Sequence, residues 1–409
     1  MKATGKGSEC VIGIFGKLFG FGMGIIYSLF KLKKTENKVA FISRQSEEPS
    51  LDFRYLIDEI RADYPQYKVE VLCKMIPAGV TGKIKYIGEF FRQMNALATS
   101  KVVVLDGYCI LACMLKHKKD LKIIQIWHAL GAYKRFGKSI LDMEGGSSSA
   151  MAKAFKMHEG YDLIAASGDE CVPHFSEAFG QPKEKFIPIG IPRMDHLTDK
   201  TENEKMKNAV YAAYPQLDNG KKTILYVPTF RDVEADVHAL HQATRELVDC
   251  IDFSAFNLII KHHVLDSGNE EIYAHSKENP TVGSSFDGMN LMPVSDFVIT
   301  DYSSIIYEAL LKDLPVYIYC FDGEKYIDER GFYIDFWNDI PAVYSETAQG
   351  IYDAIANGLT VSEEKTQQFK KAYVNKKFPS ITKVYGELID ELIRGVYDNR
   401  FNYKENKDE

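Results

Sequence analysis

Residues 294–319, preceded by Pro293, restrict the fold more than any other part of the chain. Phe297–Thr300 is a short apolar run rich in β-branched residues, the composition of a buried strand. Asp301 and Tyr302 make a turn, and Ser303 and Ser304 open a helix, Ile305–Leu311, whose apolar residues recur at helical spacing. Asp313 and Pro315 stop that helix, and Val316–Tyr319 is the next strand. The turn also has chemistry. The leading N–H groups of a helix have no intrahelical partner and its dipole is positive there, so two added hydroxyls make an anion site. The competing reading is that Ser303 serves only as an N-cap.

At 409 residues the chain is too long for one ordinary core, and two or three domains are expected. A hydrophobic content of 45% with 26% charged residues indicates a folded globular protein. The net charge of −7 argues against general nucleic-acid binding. The basic residues are unevenly placed: Lys2, Lys6, Lys17, Lys31, Lys33, Lys34, Lys38 and Arg44 face only Glu9 and Glu36 near the start of the chain. The cysteines are scattered. Cys109 and Cys113 are the only close pair, and nothing nearby completes a zinc pattern, which fits a reducing cytosol.

Residues 11–30 are apolar except for Lys17 and Ser28, and long enough to cross a bilayer. Gly16, Gly20 and Gly24 fall four apart, the spacing that lets helices approach closely. The cluster Lys31, Lys33 and Lys34 would sit with anionic headgroups on the cytoplasmic side. Three readings compete: a helix lying in the membrane interface, a single span, and a Gly-rich helix buried in protein. Lys17 in the middle and the flanking lysines favour the interface, hence a peripheral protein of the inner membrane face.

Beyond this segment (1–37), strands alternate with helices, the pattern of a parallel sheet with crossovers. Strands are read at 38–43, 68–72, 102–105, 123–127, 161–167 and 186–189, with helices at 51–64, 82–100 and 172–179. Residues 142–154, containing Gly145-Gly146-Ser147-Ser148-Ser149, read as a mobile loop. A charged stretch, 199–222, then suggests a boundary between a first domain, 38–215, and a second, 216–400, ahead of a charged tail, 401–409. The second half repeats the pattern, with strands at 223–227, 256–260, 297–300 and 316–319. Ligands of open parallel sheets bind beyond the carboxyl ends of the strands. Those ends carry Trp127-His128, Thr229-Phe230-Arg231, Lys261-His262-His263 and Asp301–Ser304. The expected fold is therefore α/β, with two Rossmann-like domains facing a cleft in the glycosyltransferase-B manner and a membrane-associating helix ahead of them. There is no DxD triplet, Walker loop or GxGxxG, so no metal-bridged nucleotide site and no cofactor are expected.

Five motifs carry a family resemblance: Trp127-His128, Gly190–Asp195 (GIPRMD), Pro228–Arg231 (PTFR), Lys261-His262-His263 and Thr300–Ser304 (TDYSS). In this order they resemble the CDP-glycerol glycerophosphotransferases, enzymes that polymerise teichoic acids, from about residue 38 to 397. The chain departs from the family after the first histidine, where Ala129-Leu130-Gly131 replaces the usual Gly-Thr-Pro, with Gly131 left to supply the turn. The resemblance implies transfer of an alditol phosphate from a CDP-alditol, glycerol ahead of ribitol, to a lipid-linked acceptor, with CMP leaving and no metal. It implies His128 as general base and His263 as the histidine facing the pyrophosphate, with His262 turned away. Ser303 and Ser304 would replace the metal, and Arg231, Lys261 and Thr229 would attend the phosphates. Asp301 is expected to fix the turn rather than touch substrate, and Glu308 resembles the acid that holds a nucleotide ribose. Arg193 and Asp195 are read either as a pair made for structure or as substrate contacts. The oligomeric state is not readable. A UDP-sugar glycosyltransferase and a non-catalytic membrane scaffold are the alternatives of other classes.

Overall fold

The computed structural model describes the chain except residues 1–5, 78, 80–81, 83–85, 144, 232, 263–280, 283–284, 324–330 and 406–409. The chain divides into two compact units: Met1–Asp195 with Asn375–Glu409, and His196–Val374.

The first unit opens on α1 (Lys6–Phe30) and is built on a six-stranded sheet. Its strands are β1 (Lys38–Ser43), β2 (Lys68–Cys73), β3 (Val102–Leu105), β4 (Lys122–Gln125), β5 (Leu163–Ala165) and β6 (Phe186–Ile187). They lie in the order β2-β1-β3-β4-β5-β6, and every pairing is parallel. The crossovers include α2 (Leu51–Asp63), α3 (Ile87–Thr99), α4 (Ile110–Met114), α5 (Ser149–Ala154) and α6 (Cys171–Phe179). β1 and β3 are buried along their whole length, as expected of strands covered on both faces. The chain runs outward from β1 to β2 and then resumes at β3 on β1's other side, so the switch point lies between the ends of β1 and β3.

The second unit begins with the chain already in α7 (Arg193–Thr198) and continues through α8 (Lys200–Ala213). Its sheet contains β7 (Lys222–Val227), β8 (Phe256–Ile260), β9 (Thr281–Val282), β10 (Phe297–Thr300), β11 (Val316–Tyr319) and β12 (Val343–Ser345). The order is β12-β11-β10-β7-β8-β9, again all parallel, which puts the switch point between β7 and β10. Helices α9 (Glu234–Cys250), α10 (Gly288–Leu291), α11 (Ile305–Leu311), α12 (Ala348–Ala356) and α13 (Glu363–Tyr373) belong here. The final helix, α14 (Ile381–Arg394), returns to the first unit.

Three features differ from the sequence reading. The boundary falls at Asp195 and again at Asn375, not near residue 215 or 400, because α14 closes over α2 of the first unit. Tyr385 donates to the Gly190 carbonyl at 2.9 Å, and Tyr67 donates to Asp390 at 2.5 Å. Residues 149–154 are helical, with the Ser148 hydroxyl accepting from the Met151 N–H, where a glycine- and serine-rich run suggested only a loop. Third, α1 is neither buried nor detached. Its inner side packs on the first unit, with Gly16 against Ala154 and Gly20 against Met114, and with Tyr27 buried and hydrogen-bonded to His117. A Cβ placed on Gly24 would meet nothing within 4 Å. Two of the three spaced glycines, Gly16 and Gly20, thus serve packing inside the unit, while Ile14, Leu18, Phe21, Ile25 and Leu29 stay exposed on the outer side. By length and composition alone the helix could cross a membrane.

Candidate active site

In the first unit, β4 ends at Gln125, and Trp127 and His128 lie just beyond it. Trp127 adopts φ 58°, a left-handed conformation that costs a bulky residue about 1–2 kcal/mol. Gly131, expected to make the turn, has no such φ, so the bend comes earlier than the sequence suggests. Two bonds hold the bend: the Trp127 N–H donates to the Gln125 side chain at 2.9 Å, and Gln125 donates to the Gly107 carbonyl at 2.9 Å. The indole packs against Phe136 and Phe179 with ring centroids 5.3 and 5.1 Å away, and against the His128 ring at 4.0 Å.

That bend aims His128. Its Nδ1 lies 2.9 Å from the Asp106 carbonyl oxygen at the end of β3. A carbonyl can only accept, so Nδ1 carries the proton and neutral Nε2 keeps its lone pair. The residue is solvent-accessible, yet the protein packed around it disfavours the imidazolium and lowers its pKa below the usual 6.5. The Asp106 carboxyl is 1% exposed, and burial pushes its pKa up to about 6 although Ser43 and Ser50 pull the other way. No motif marked Asp106; its position at the switch-point strand end is the one signal that could have.

Arg193 and Asp195 each find partners on other elements. Arg193 holds Asp52 at the start of α2, through Nε at 2.8 Å, Nη2 at 2.6 Å and its backbone N–H at 2.7 Å. Asp195 accepts from the backbone N–H groups of Ile381 and Thr382 at 3.0 and 2.8 Å and pairs with Lys376 at 2.9 Å. Both build the first unit, the one fixing α2 and the other capping α14. Gly190 opens this motif at φ 93°, and a Cβ there would strike Met194 at 2.7 Å.

In the second unit the PTFR and TDYSS motifs meet at the switch point. Asp301, fully buried, accepts from the Thr229 N–H and hydroxyl at 2.8 and 2.5 Å and from the Tyr302 N–H at 2.6 Å. Its other oxygen pairs with Arg231 at 3.0 Å, and Arg231 also pairs with Asp322 at 3.0 Å. Arg231 is 4% exposed and stands 5.7 and 5.5 Å from the rings of Tyr302 and Phe321. A guanidinium buried between two carboxylates ties three strand-end loops together. These bonds place the Asp301 carboxylate at the centre of the turn.

Ser303 and Ser304 lie at the start of α11, both partly exposed. The Ser303 hydroxyl accepts weakly from the Ile305 N–H at 3.4 Å, and Ser304 occupies the cap position without a side-chain bond. Lys261, partly exposed at the end of β8, has no carboxylate partner among the described residues. His262 is buried, and Glu308 on α11 is 4% exposed. His263 lies outside the described residues. No cluster of His, Cys, Asp or Glu among the described residues is arranged to hold a metal.

Both units are doubly wound α/β sheets, one with an oriented imidazole at a strand end and the other with a serine turn after β10 and a lysine at the end of β8. The chain belongs to the CDP-glycerol:poly(glycerophosphate) glycerophosphotransferase family, whose pattern matches residues 25–403. The teichoic acid ribitol-phosphate primase of Bacillus spizizenii is 30% identical over 388 residues, covering 93% of this chain and 97% of the primase. The teichoic acid glycerol-phosphate primase of the same species is 28% identical over 284 residues, 69% of this chain and 70% of that protein. The wall teichoic acid polymerase TagF superposes with a TM-score of 0.69 at 21% identity, over 94% of this chain and 98% of TagF. That likeness shows the fold. The protein is a CDP-alditol phosphotransferase of teichoic acid synthesis.

Proposed function

We propose that the protein transfers an alditol phosphate from a CDP-alditol to a hydroxyl of a lipid-linked teichoic-acid-type acceptor, releasing CMP without a metal ion, on a glycosyltransferase-B type scaffold. The acceptor oxygen forms a bond to the β-phosphorus while the bond from that phosphorus to the bridging oxygen breaks. CMP carries away the bridging oxygen and its electron pair. The acceptor proton passes to Nε2 of His128. The observation that carries this reading is the bond from His128 to the Asp106 carbonyl, which fixes the tautomer a general base requires.

In the second unit, Ser303, Ser304 and Lys261 are assigned to the pyrophosphate, supplying hydroxyl donors and a positive charge where a metal would otherwise stand. Thr229, Asp301 and Arg231 position that turn from behind. His263 keeps the role the resemblance gives it, hydrogen-bonding or protonating the departing phosphate. The apolar outer side of α1, followed by Lys31, Lys33 and Lys34, suits attachment to the cytoplasmic leaflet, where a soluble donor and a lipid-linked acceptor meet.

The family description speaks for CDP-glycerol as donor. The second reading, CDP-ribitol, is favoured by the ribitol-phosphate primase, which matches over 97% of its own length. CMP release should be measured with CDP-glycerol, CDP-ribitol and UDP-sugars, with and without excess EDTA. One CDP-alditol is expected to turn over equally well in both. Strict dependence on a divalent ion would overturn the metal-free reading, and turnover of a UDP-sugar alone would overturn the donor class.

A further inference from the structure

The first unit contains two cavities that share α5 as a wall. The outer one, about 1100 Å³, lies between α1 and α5 and includes Gly16, Lys17, Gly20, Met114, Lys153 and Lys156 in its lining. The inner one, about 530 Å³, is lined by Arg44, Tyr108, Trp127, Phe136, Phe155 and His158 among others. Successive residues of one short helical stretch divide between them: Ser149, Ala150, Lys153 and Ala154 line the outer cavity, and Met151, Ala152 and Phe155 the inner.

The outer cavity has a definite chemistry. Lys17, Lys153 and Lys156 are all exposed, and none has a carboxylate partner among the described residues. Three lysines without a carboxylate partner among the described residues line one hollow in a chain of net charge −7. Its remaining lining is small or apolar, and its α1 wall continues into the exposed apolar side formed by Ile14, Leu18 and Phe21. Positive charge beside an unbroken apolar surface complements a phosphate ester carrying a long hydrocarbon chain.

The inner cavity suits the other end of such a molecule. Its aromatic rings offer stacking faces, and Trp127 touches the His128 ring. Arg44 adds a guanidinium above the Tyr108 ring at 5.1 Å.

We propose that the cavity between α1 and α5 is a binding site for a lipid phosphate, namely the phosphate end of the lipid-linked acceptor, held by Lys17, Lys153 and Lys156. The hydrocarbon chain leaves along the outer side of α1, and the polar head extends past the end of α5 toward the aromatic cavity that contains Trp127. This rests on the lipid-linked acceptor of the proposed function and adds to it the site that grips the lipid end.

The test uses the full chain and the pair Lys153→Glu/Lys156→Glu, with the milder Lys153→Gln/Lys156→Gln as a second variant should charge reversal prevent folding. Flotation is measured on phosphatidylcholine vesicles alone, on vesicles containing a polyprenyl phosphate, and on vesicles with phosphatidylglycerol at matched charge. Wild type is expected to float best with the polyprenyl phosphate, and the variant to lose that preference. The KM for a lipid-linked acceptor should rise about tenfold or more in the variant, the scale of two lysines at an anionic lipid. Stabilisation by the CDP-alditol should stay as in wild type. Equal flotation on phosphatidylglycerol would show a general anionic surface and overturn the site, as would an unchanged KM. Flotation requires no turnover, so failure of every CDP-alditol as donor would remove the functional reading and leave this test standing.

Discussion

The proposed base, His128, is oriented by a carbonyl rather than by another side chain. The Asp106 oxygen at 2.9 Å holds the proton on Nδ1, and the surrounding protein keeps the ring neutral. His128→Ala is expected to lower turnover about a hundredfold or more, the usual scale of a lost general base, while CDP-alditol binding persists. Because the protein packed around the ring lowers the imidazole pKa, the base form is already present at pH 7. The acid limb of the kcat/KM profile should therefore fall below pH 6.5, and a limb centred above that value would contradict the assignment. Asp106 makes a separate prediction. Its folded pKa is raised to about 6 from the ordinary 3.8, so the native state binds more protons than the unfolded chain in that window. Stability should fall as pH rises from about 4 to 6, by up to about 3 kcal/mol, and Asp106→Asn should flatten the slope in denaturant melts. Arg231 separates two roles cleanly. Arg231→Ala strands Asp301 and Asp322 in a buried site and is expected to cost about 3–5 kcal/mol of stability. A variant with wild-type melting that had lost donor binding would make Arg231 a phosphate ligand after all.

At the scale of elements, α1 is the most exposed commitment of the fold. A Cβ at Gly16 would stand 2.6 Å from the Ala154 Cβ, so Gly16→Leu must lift the helix from α5. Overpacking of this kind costs about 1–3 kcal/mol, and limited proteolysis within α1 should accelerate accordingly. Unchanged protection would mean that the helix is not seated there. Most strands of the two sheets were readable because β-branched apolar runs between turn residues have few alternatives, Val102–Leu105 and Phe297–Thr300 being instances, whereas the short β9 and β12 carry no such run and were missed. The helix at residues 149–154 was not readable, since Gly145-Gly146 and three serines carry the local signal of a loop and only the cap at Ser148 reverses it. Nor was the use of the charged motif residues. Arg193 finds Asp52 across 141 positions and Arg231 finds Asp322 across 91, pairings that no local pattern encodes. The sequence placed the polar groups at the correct strand ends, but not which of them are spent on one another.

For the whole molecule, the two sheets follow one plan, each all-parallel with polar residues at the carboxyl ends of its central strands. The chain enters the second unit at His196 and returns at Asn375, so α14 finishes the first unit after the second is complete. An amphipathic helix announces its buried face but not the sheet it covers, which is why the boundary was misplaced. The activity assigned to this plan is a transfer with a fixed stoichiometry. The most direct measurement is to incubate the full chain with a CDP-alditol and a lipid-linked acceptor in excess EDTA, following CMP and the acceptor's mass together. The account predicts one CMP for each alditol phosphate gained by the acceptor, with both signals lost in His128→Ala. CMP appearing without any gain in acceptor mass, or transfer that survives in His128→Ala at near wild-type rate, would contradict it.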